Sequence, residues 1–293
     1  MTNVIDSLKL RLKQKDILVQ LILINICAFL ILNLIGVITT LFKLNPLHFI
    51  EYIGVPSDLS SLIRCPWTLF TYMFVQVDIL HILLNMLVLY WVGQIFLSYF
   101  SPKNLGSLYV LGGLAGAIIY ILAFNLIPYY IDMGNLPMIG ASASVMAIMF
   151  AAAFYNPQLQ ISLFFVIRIK IIYIAIFVFI VDFIFLASES NPGGHVAHIG
   201  GAILGYIYAT QYLKGKDITR WISRFIDWAS NLFKPKPAKM KVKYKRKETD
   251  YEYNARHNSE TDEIDRILDK IKASGYSSLT ANEKKRLFDA GKK

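Results

Sequence analysis

The chain has 293 residues, of which 55% are hydrophobic and only 17% are charged, and its mean hydropathy is +0.47. Because a soluble protein of this size carries about a quarter charged residues, the composition excludes an ordinary soluble domain and predicts a membrane protein with a soluble tail. The net charge of +10 lies almost entirely in that tail, since residues 214–293 hold 21 Lys and Arg against 12 Asp and Glu.

A polar segment, residues 1–16, precedes six apolar segments. These cover residues 17–42, 81–99, 105–128, 140–155, 171–186 and 195–213. The first is too long for the core of a signal peptide and no cleavage pattern follows it, so we predict an uncleaved first transmembrane helix. The pattern as a whole predicts an all-α membrane protein, with a six-helix membrane domain over residues 17–213.

Two connecting segments differ from ordinary loops. Residues 43–79 mix aromatic side chains with prolines and charges, and residues 158–170 alternate and include Arg168 and Lys170. Such compositions are typical of the membrane–water interface. We predict that the first segment lies half-embedded and that the second lies at the interface without crossing.

The placement of Lys and Arg predicts the orientation. With the N-terminus inside, seven of the nine basic residues in 1–213 fall on the cytoplasmic side. We therefore predict a multi-pass protein of the cell (inner) membrane, with both termini cytoplasmic. Spans two, four and six then all begin at the outer face, which places His81, Ser142 and His198 at similar depth.

The tail has two parts. Residues 214–247 contain a basic amphipathic helix, at 218–233, and a Pro- and Lys-rich linker; beside a bilayer this charge favours anionic lipids as the partner rather than nucleic acid. Residues 248–293 form a C-terminal helical cytoplasmic extension, in which an apolar stripe at 264–271 is followed by Gly275 as C-cap and by a Thr280–Glu283 capping box. So small a pair of helices hardly folds alone. It docks on a protein partner, on a second copy or on the membrane domain, and the sequence leaves these three open.

One serine stands at the start of the fourth span, among small residues. Ser142 follows Gly140 and Ala141 and precedes Ala143. Its backbone N–H lies in the first turn of a helix, where donors have no intrahelical partner. A nucleophile needs an exposed hydroxyl, a nearby base and donors for the developing oxyanion. Ser142 is therefore a candidate nucleophile, against the simpler interpretation that small residues here serve tight helix packing.

The candidate base is His198, near the start of the sixth span. Gly201 and Gly205 leave one face of that helix without large side chains, and the fourth span has small residues at matching spacing. Packing of these two faces would bring Ser142 and His198 within reach, so that a neutral imidazole takes the serine proton. No carboxylate is placed to complete a triad, which predicts a Ser–His dyad; Asp182 lies outside this cluster.

His81 and Asn85 are four residues apart, hence on one face of the second span. Both can donate hydrogen bonds, and together with the Ser142 N–H they are candidate oxyanion donors. His195 and His198 are spaced like a metal pair, but no Asp, Glu or Cys is placed to complete it. We therefore predict no metal and no cofactor.

Three motifs, each on its own helix, resemble the rhomboid family of intramembrane serine proteases. They are His81-Ile-Leu-Leu-Asn85, Gly140-Ala-Ser142, and Ala197-His198-x-Gly-Gly with the following Gly205. The resemblance covers roughly residues 17–213 and implies a six-helix fold that cleaves transmembrane protein substrates near the outer membrane face. It also implies the following roles: Ser142 as nucleophile, His198 as base, Asn85, His81 and the Ser142 backbone as oxyanion donors, and Gly140 as the residue that keeps the approach clear.

The chain departs from the family pattern at four points. Ala143 replaces a glycine, Gln76 replaces a histidine and Met146 replaces a tyrosine, and the first loop lacks a clear Trp-Arg pair. These departures bear on the shape of the site and leave the nucleophile and the base in place.

Two other functions fit part of the pattern. A catalytically inactive rhomboid-like protein would bind membrane helices without cleaving them, but such relatives typically lose the serine or the histidine. A small helical transporter would need polar groups along a path, whereas here they cluster at one depth. An active protease is the interpretation that the sequence favours.

Overall fold

The computed structural model describes residues 16–43, 47–163, 167–188, 191–232 and 249–291. The chain divides into two units, residues 1–234 and 235–293. The predicted N-terminal segment, apart from Asp16, and the predicted linker at 234–247 lie outside the described residues.

The first unit is a bundle of helices, and the chain is an all-α membrane protein, as predicted. Its main helices are α1 (Ile17–Leu41), α2 (Ile79–Leu97), α3 (Pro102–Leu126), α4 (Ser142–Tyr155), α5 (Ile171–Ile184) and α6 (Pro192–Leu213). Of the described helices, α1, α2 and α3 are long and apolar enough to cross a membrane, whereas α4 and α5 are apolar but shorter. A 3₁₀ turn, Phe185–Ala187, continues α5.

Three helices start two or three residues before the predicted boundaries. The Asp78 carboxylate accepts a 2.7 Å hydrogen bond from the His81 N–H at the start of α2, and Ser101 caps α3 ahead of Pro102. Helix α6 begins at Pro192, after Asn191 in the left-handed conformation. The predicted boundaries followed apolarity, whereas helix ends are fixed by caps and by proline at the first position. His198 accordingly lies in the second turn of α6.

The segment predicted at the interface, 158–170, is a β-hairpin. Strand β1 (Gln160–Leu163) pairs antiparallel with β2 (Ile167–Lys170), with Gln160 opposite Lys170. The alternation seen in the sequence is the two-residue period of these strands.

Short helices occupy the first long connection. They are Leu47–Ile53, Leu59–Arg64, Thr68–Thr71 and the 3₁₀ turn Tyr72–Phe74, and a further short helix, Pro128–Ile131, follows α3. The aromatic residues of this connection divide between two environments. Tyr72 is buried and donates a 2.5 Å hydrogen bond to the Gly113 carbonyl, whereas Trp67 is exposed and donates to the Tyr52 carbonyl at 2.9 Å.

Helix α4 is the centre of the bundle and packs against α3, α6 and α2. A Cβ on Gly201 would overlap the Ala143 carbonyl oxygen, and one on Gly205 would overlap that of Ala147. The predicted approach of the two small-residue faces is thus confirmed. In a bilayer such contacts supply van der Waals energy that lipid does not, because the backbones approach closely.

The predicted amphipathic helix at 218–233 is present as α7 (Arg220–Leu232). Ile222 is buried, while Trp221, Phe225 and Trp228 are exposed. The Lys103 ammonium lies 2.7 Å from the Asp227 carboxylate, and the Ser107 and Ser223 hydroxyls are 2.7 Å apart, so α7 packs on α3.

The second unit contains α8 (Asp250–Ser274), a 3₁₀ turn at Tyr276–Ser278 and α9 (Ala281–Ala290). Gly275, with φ of 79°, ends α8, and the Thr280–Glu283 capping box begins α9, both as predicted. The Thr280 N–H and the Lys270 ammonium lower the pKa of Glu283 to about 2. Helix α8 begins well before its predicted apolar stripe, because Thr249 and Glu252 form a second capping box there.

Candidate active site

Two backbone contacts hold the segment that leads into α4. Met138 and Val55 exchange hydrogen bonds of 2.8 and 2.9 Å, and the Gly140 N–H donates to the Tyr72 carbonyl at 3.0 Å. Gly140 has φ of 133°, a conformation that side-chain-bearing residues rarely adopt. Helix α4 then begins at Ser142, so the Ser142 N–H is among the donors that helix geometry leaves without an intrahelical partner.

A cavity of about 270 Å³ lies beside Ser142. Its polar lining comprises Asn85, Ser142, Asp182 and His198, and the rest is apolar side chains, mainly of α2, α4 and α5. The structure thus brings together three of the residues singled out from the sequence: Ser142, His198 and Asn85. Among the described residues no hydrogen bond joins Ser142 to His198, and such bonds often tighten only when substrate binds.

His81 does not line this cavity but lies close to Gly140 and Ser142. A Cβ built on Gly140 would stand 3.5 Å from His81 Cε1 and 3.6 Å from Ser142 Oγ. Both groups therefore border the space above this glycine. Any side chain at position 140 would enter that space.

The prediction that no carboxylate reaches this site is wrong. Asp182 Oδ1 lies 2.8 Å from Nδ1 of His198 and 2.8 Å from Nδ1 of His195. Its side chain is only 7% exposed. The reason is that α5 packs against α6, which follows it closely in the chain.

The same contacts correct the argument against a metal. Asp182, His195 and His198 supply three ligand atoms that lie within 4.8 Å of one another, so a carboxylate does complete the histidine pair. In the structure these atoms engage one another in hydrogen bonds. They are the residues that would hold a metal ion if one bound here.

The contacts of His198 fix which nitrogen can act as a base. A carboxylate only accepts hydrogen bonds, so the 2.8 Å contact requires the proton of a neutral His198 to be on Nδ1. Nε2 then carries the lone pair. It is buried and has no hydrogen-bond partner among the described residues.

Two of the residues that depart from the family pattern, Ala143 and Met146, differ in their position relative to the cavity. The Ala143 methyl faces α3, where it would lie 2.6 Å from a Cβ on Gly116, and it does not line the cavity. Met146 does line it. Ala143 therefore packs two helices together without crowding the space beside Ser142.

Gln76 belongs to a chain of buried amides that ends at Asn85. Asn85 Nδ2 donates to Gln76 Oε1 at 2.8 Å, and Gln76 Nε2 donates to Asn25 Oδ1 at 3.2 Å. Asn25 Nδ2 continues to the Tyr109 hydroxyl at 3.0 Å, which donates to the Met73 carbonyl at 2.8 Å. Helix α1 is thus linked through Gln76 to Asn85, the polar residue of α2 that lines the cavity.

Substituting Gln76 by leucine should destabilise the bundle by about 1–2 kcal/mol, because two buried hydrogen bonds between side chains are lost and such bonds in membrane proteins are worth roughly 0.6 kcal/mol each, up to about 1.7. Thermal unfolding in detergent measures this. The matched control is Asn33→Leu on α1, since the Asn33 amide donates to the Phe29 carbonyl of its own helix and, within the described ranges, bonds no other segment. Equal stability of the two variants would contradict a structural role for the chain of amides.

Comparisons with known proteins match two parts of the chain separately. A family model described as the Rhomboid domain matches residues 64–215, and a model for a family of unknown function, DUF6576, matches residues 247–293. The chain is 30% identical over 158 residues to RHOMBOID-like protein 12, mitochondrial, of Arabidopsis thaliana, an alignment that covers 51% of this chain and 47% of that protein. The chain therefore spans about half the length of this curated relative. No solved structure matches it.

Proposed function

Since this chain belongs to the rhomboid family, we propose that it is an intramembrane serine endopeptidase that cleaves transmembrane protein substrates. Ser142 is the nucleophile and His198 the general base. The site needs no metal or other cofactor for this reaction. The placement of Lys and Arg supports an orientation in the cell membrane in which both termini are cytoplasmic and the site lies near the outer face.

One observation carries the proposal. Ser142 and His198 line the same cavity, and Nε2 of His198 is buried with its lone pair unused. A buried imidazole nitrogen without a partner is costly in a folded protein. A role in taking a proton accounts for it.

The reaction is an acyl transfer in two halves. Ser142 Oγ attacks the scissile carbonyl carbon while its proton passes to His198 Nε2; the C–N bond then breaks, and the proton leaves with the amine. Water attacks the resulting ester in the second half, gives its proton to His198 and restores the serine. The Ser142 N–H, His81 and Asn85 supply donors for the negative charge on the carbonyl oxygen.

The lining of the cavity supports a lipid-embedded substrate. Apart from its four polar residues, the cavity is lined by apolar side chains, including Trp91 of α2 and Val178 of α5. An extended segment of a membrane helix would find apolar contacts there and a polar group only at the reacting bond. Substrates are therefore membrane helices, and lipids surround the rest of the bundle.

A fluorophosphonate probe tests the proposal, because it labels only a serine that a neighbouring base activates. We expect the purified full chain to be labelled, and Ser142→Ala to be unlabelled. The matched control is Ser144→Ala: Ser144 lies two residues along the same helix, and its buried hydroxyl has no hydrogen-bond partner in the part of the chain that the structure describes. This control should be labelled like the wild type.

The runner-up function predicts a different result. A non-cleaving rhomboid-like protein, correctly folded, would give no labelling in any variant and would still capture single-span membrane proteins. Wild type and Ser144→Ala both unlabelled, at unchanged thermal stability, would therefore favour binding without cleavage.

A further inference from the structure

We infer that Asp182 is a positioning residue for His198, so that the site works as a Ser–His–Asp triad. This inference deepens the proposed function and rests on it. It goes beyond the dyad that the sequence motifs indicate, and it assigns a role to a charged group inside an apolar helix.

The first support is the placement of an ionisable residue inside an apolar helix. Asp182 is the only charged residue of α5, whose other residues are apolar. A carboxylate in a membrane helix is costly unless it is paired, and such residues usually serve a function. Asp182 is buried, with 5% of the whole residue exposed, and one of its carboxylate oxygens contacts both histidines of α6.

The second support is the division of tasks between the two ring nitrogens. Asp182 binds Nδ1 of His198, and Nε2 faces no protein partner among the described residues. The carboxylate thus selects the Nδ1–H form and leaves the Nε2 lone pair free on a ring that lines the same cavity as Ser142. When Nε2 takes the serine proton, the imidazolium forms next to a negative charge in an apolar surrounding, where that charge stabilises it strongly.

His195 uses the same oxygen but has a different position. It does not line the cavity, and its ring stacks on Phe185 with 5.8 Å between centroids. His195 therefore contacts the Asp182 carboxylate from outside the cavity. Its loss leaves the Asp182–His198 contact available.

The test compares labelling rates at saturating and limiting probe concentration, which separates bond formation from probe binding. In this reaction the Oγ–P bond forms, fluoride leaves, and the serine proton passes to His198. We expect Asp182→Asn to lower the rate of bond formation by about 10³- to 10⁴-fold, as loss of the carboxylate does in soluble triads, with probe affinity changed less than fivefold. His195→Gln should stay within about fivefold of the wild type in both quantities.

A spectroscopic measurement on ¹⁵N-histidine-labelled protein tests the same contact without activity. It should show His198 protonated on Nδ1 in the wild type, with the assignment made from His198→Ala. If the wild type is labelled and Asp182→Asn is labelled at the same rate, the inference is overturned and the proposed function stays intact. If Asp182→Asn, His195→Gln and the wild type treated with a chelator all lose labelling, the three residues form a metal site. That result would also overturn the inference.

Discussion

Substituting either Ser142 or His198 by alanine should lower turnover of a single-span membrane substrate by about 10⁶-fold, and the double variant should be no slower than either single variant. The two side chains carry out one proton transfer. Without the hydroxyl there is nothing for the base to activate, and without the base the hydroxyl is a weak nucleophile. The losses therefore do not add.

Cleavage by reconstituted protein, followed over days for the slow variants, measures this effect. Ser144→Ala serves again as the control, because it removes a hydroxyl from the same helix and leaves Ser142 in place. Additive losses in the double variant would contradict a shared step. They would mean that His198 acts on something other than the Ser142 proton.

The sequence was sufficient for the outline of the fold. Apolar segments separated by polar turns predicted the helices of the bundle, since a membrane span must satisfy its own backbone hydrogen bonds. The facing glycines of α6 and small residues of α4 predicted a close contact, and Gly201 and Gly205 make it. Helix starts were less accurate, because caps such as Asp78 lie outside the apolar runs.

The same reasoning missed Asp182, although a signal was present. Spans five and six are consecutive and antiparallel, so a residue one turn before the end of the fifth span lies at the depth of a residue one turn into the sixth. Asp182 and His198 meet that condition, and the structure places them 2.8 Å apart. Depth along the membrane normal, rather than separation in sequence, is the measure that relates such residues.

The amide chain through Gln76 was beyond the reach of sequence reasoning. Gln76, Asn25 and Tyr109 lie on three different segments with no common spacing, and their contacts depend on side-chain directions that only the packed bundle fixes. Gln76 stood out only as a departure from the family pattern. In the structure it is the acceptor that fixes one end of the Asn85 amide.

Removing an oxyanion donor should also lower activity, by less than the loss of Ser142 or His198. We expect His81→Ala and Asn85→Ala each to lower kcat by about 10²- to 10³-fold, with KM changed only a few-fold, because these donors act on charge that develops only in the transition state. Asn85 has the geometry for this: one amide hydrogen is held by Gln76, and the residue lines the cavity beside Ser142. Substrate cleavage at saturating and limiting concentrations separates the two constants.

The control for these variants is Gln94→Ala, which removes an amide from an exposed position on the same helix and should leave both constants unchanged. Combining the two donor losses should slow the enzyme beyond either alone, in contrast to the Ser142 and His198 pair, because each donor stabilises the oxyanion independently. A rise in KM with kcat unchanged would mean that His81 and Asn85 bind substrate before the reaction instead. The two pairs of variants together therefore distinguish groups that share one proton transfer from groups that share one charge.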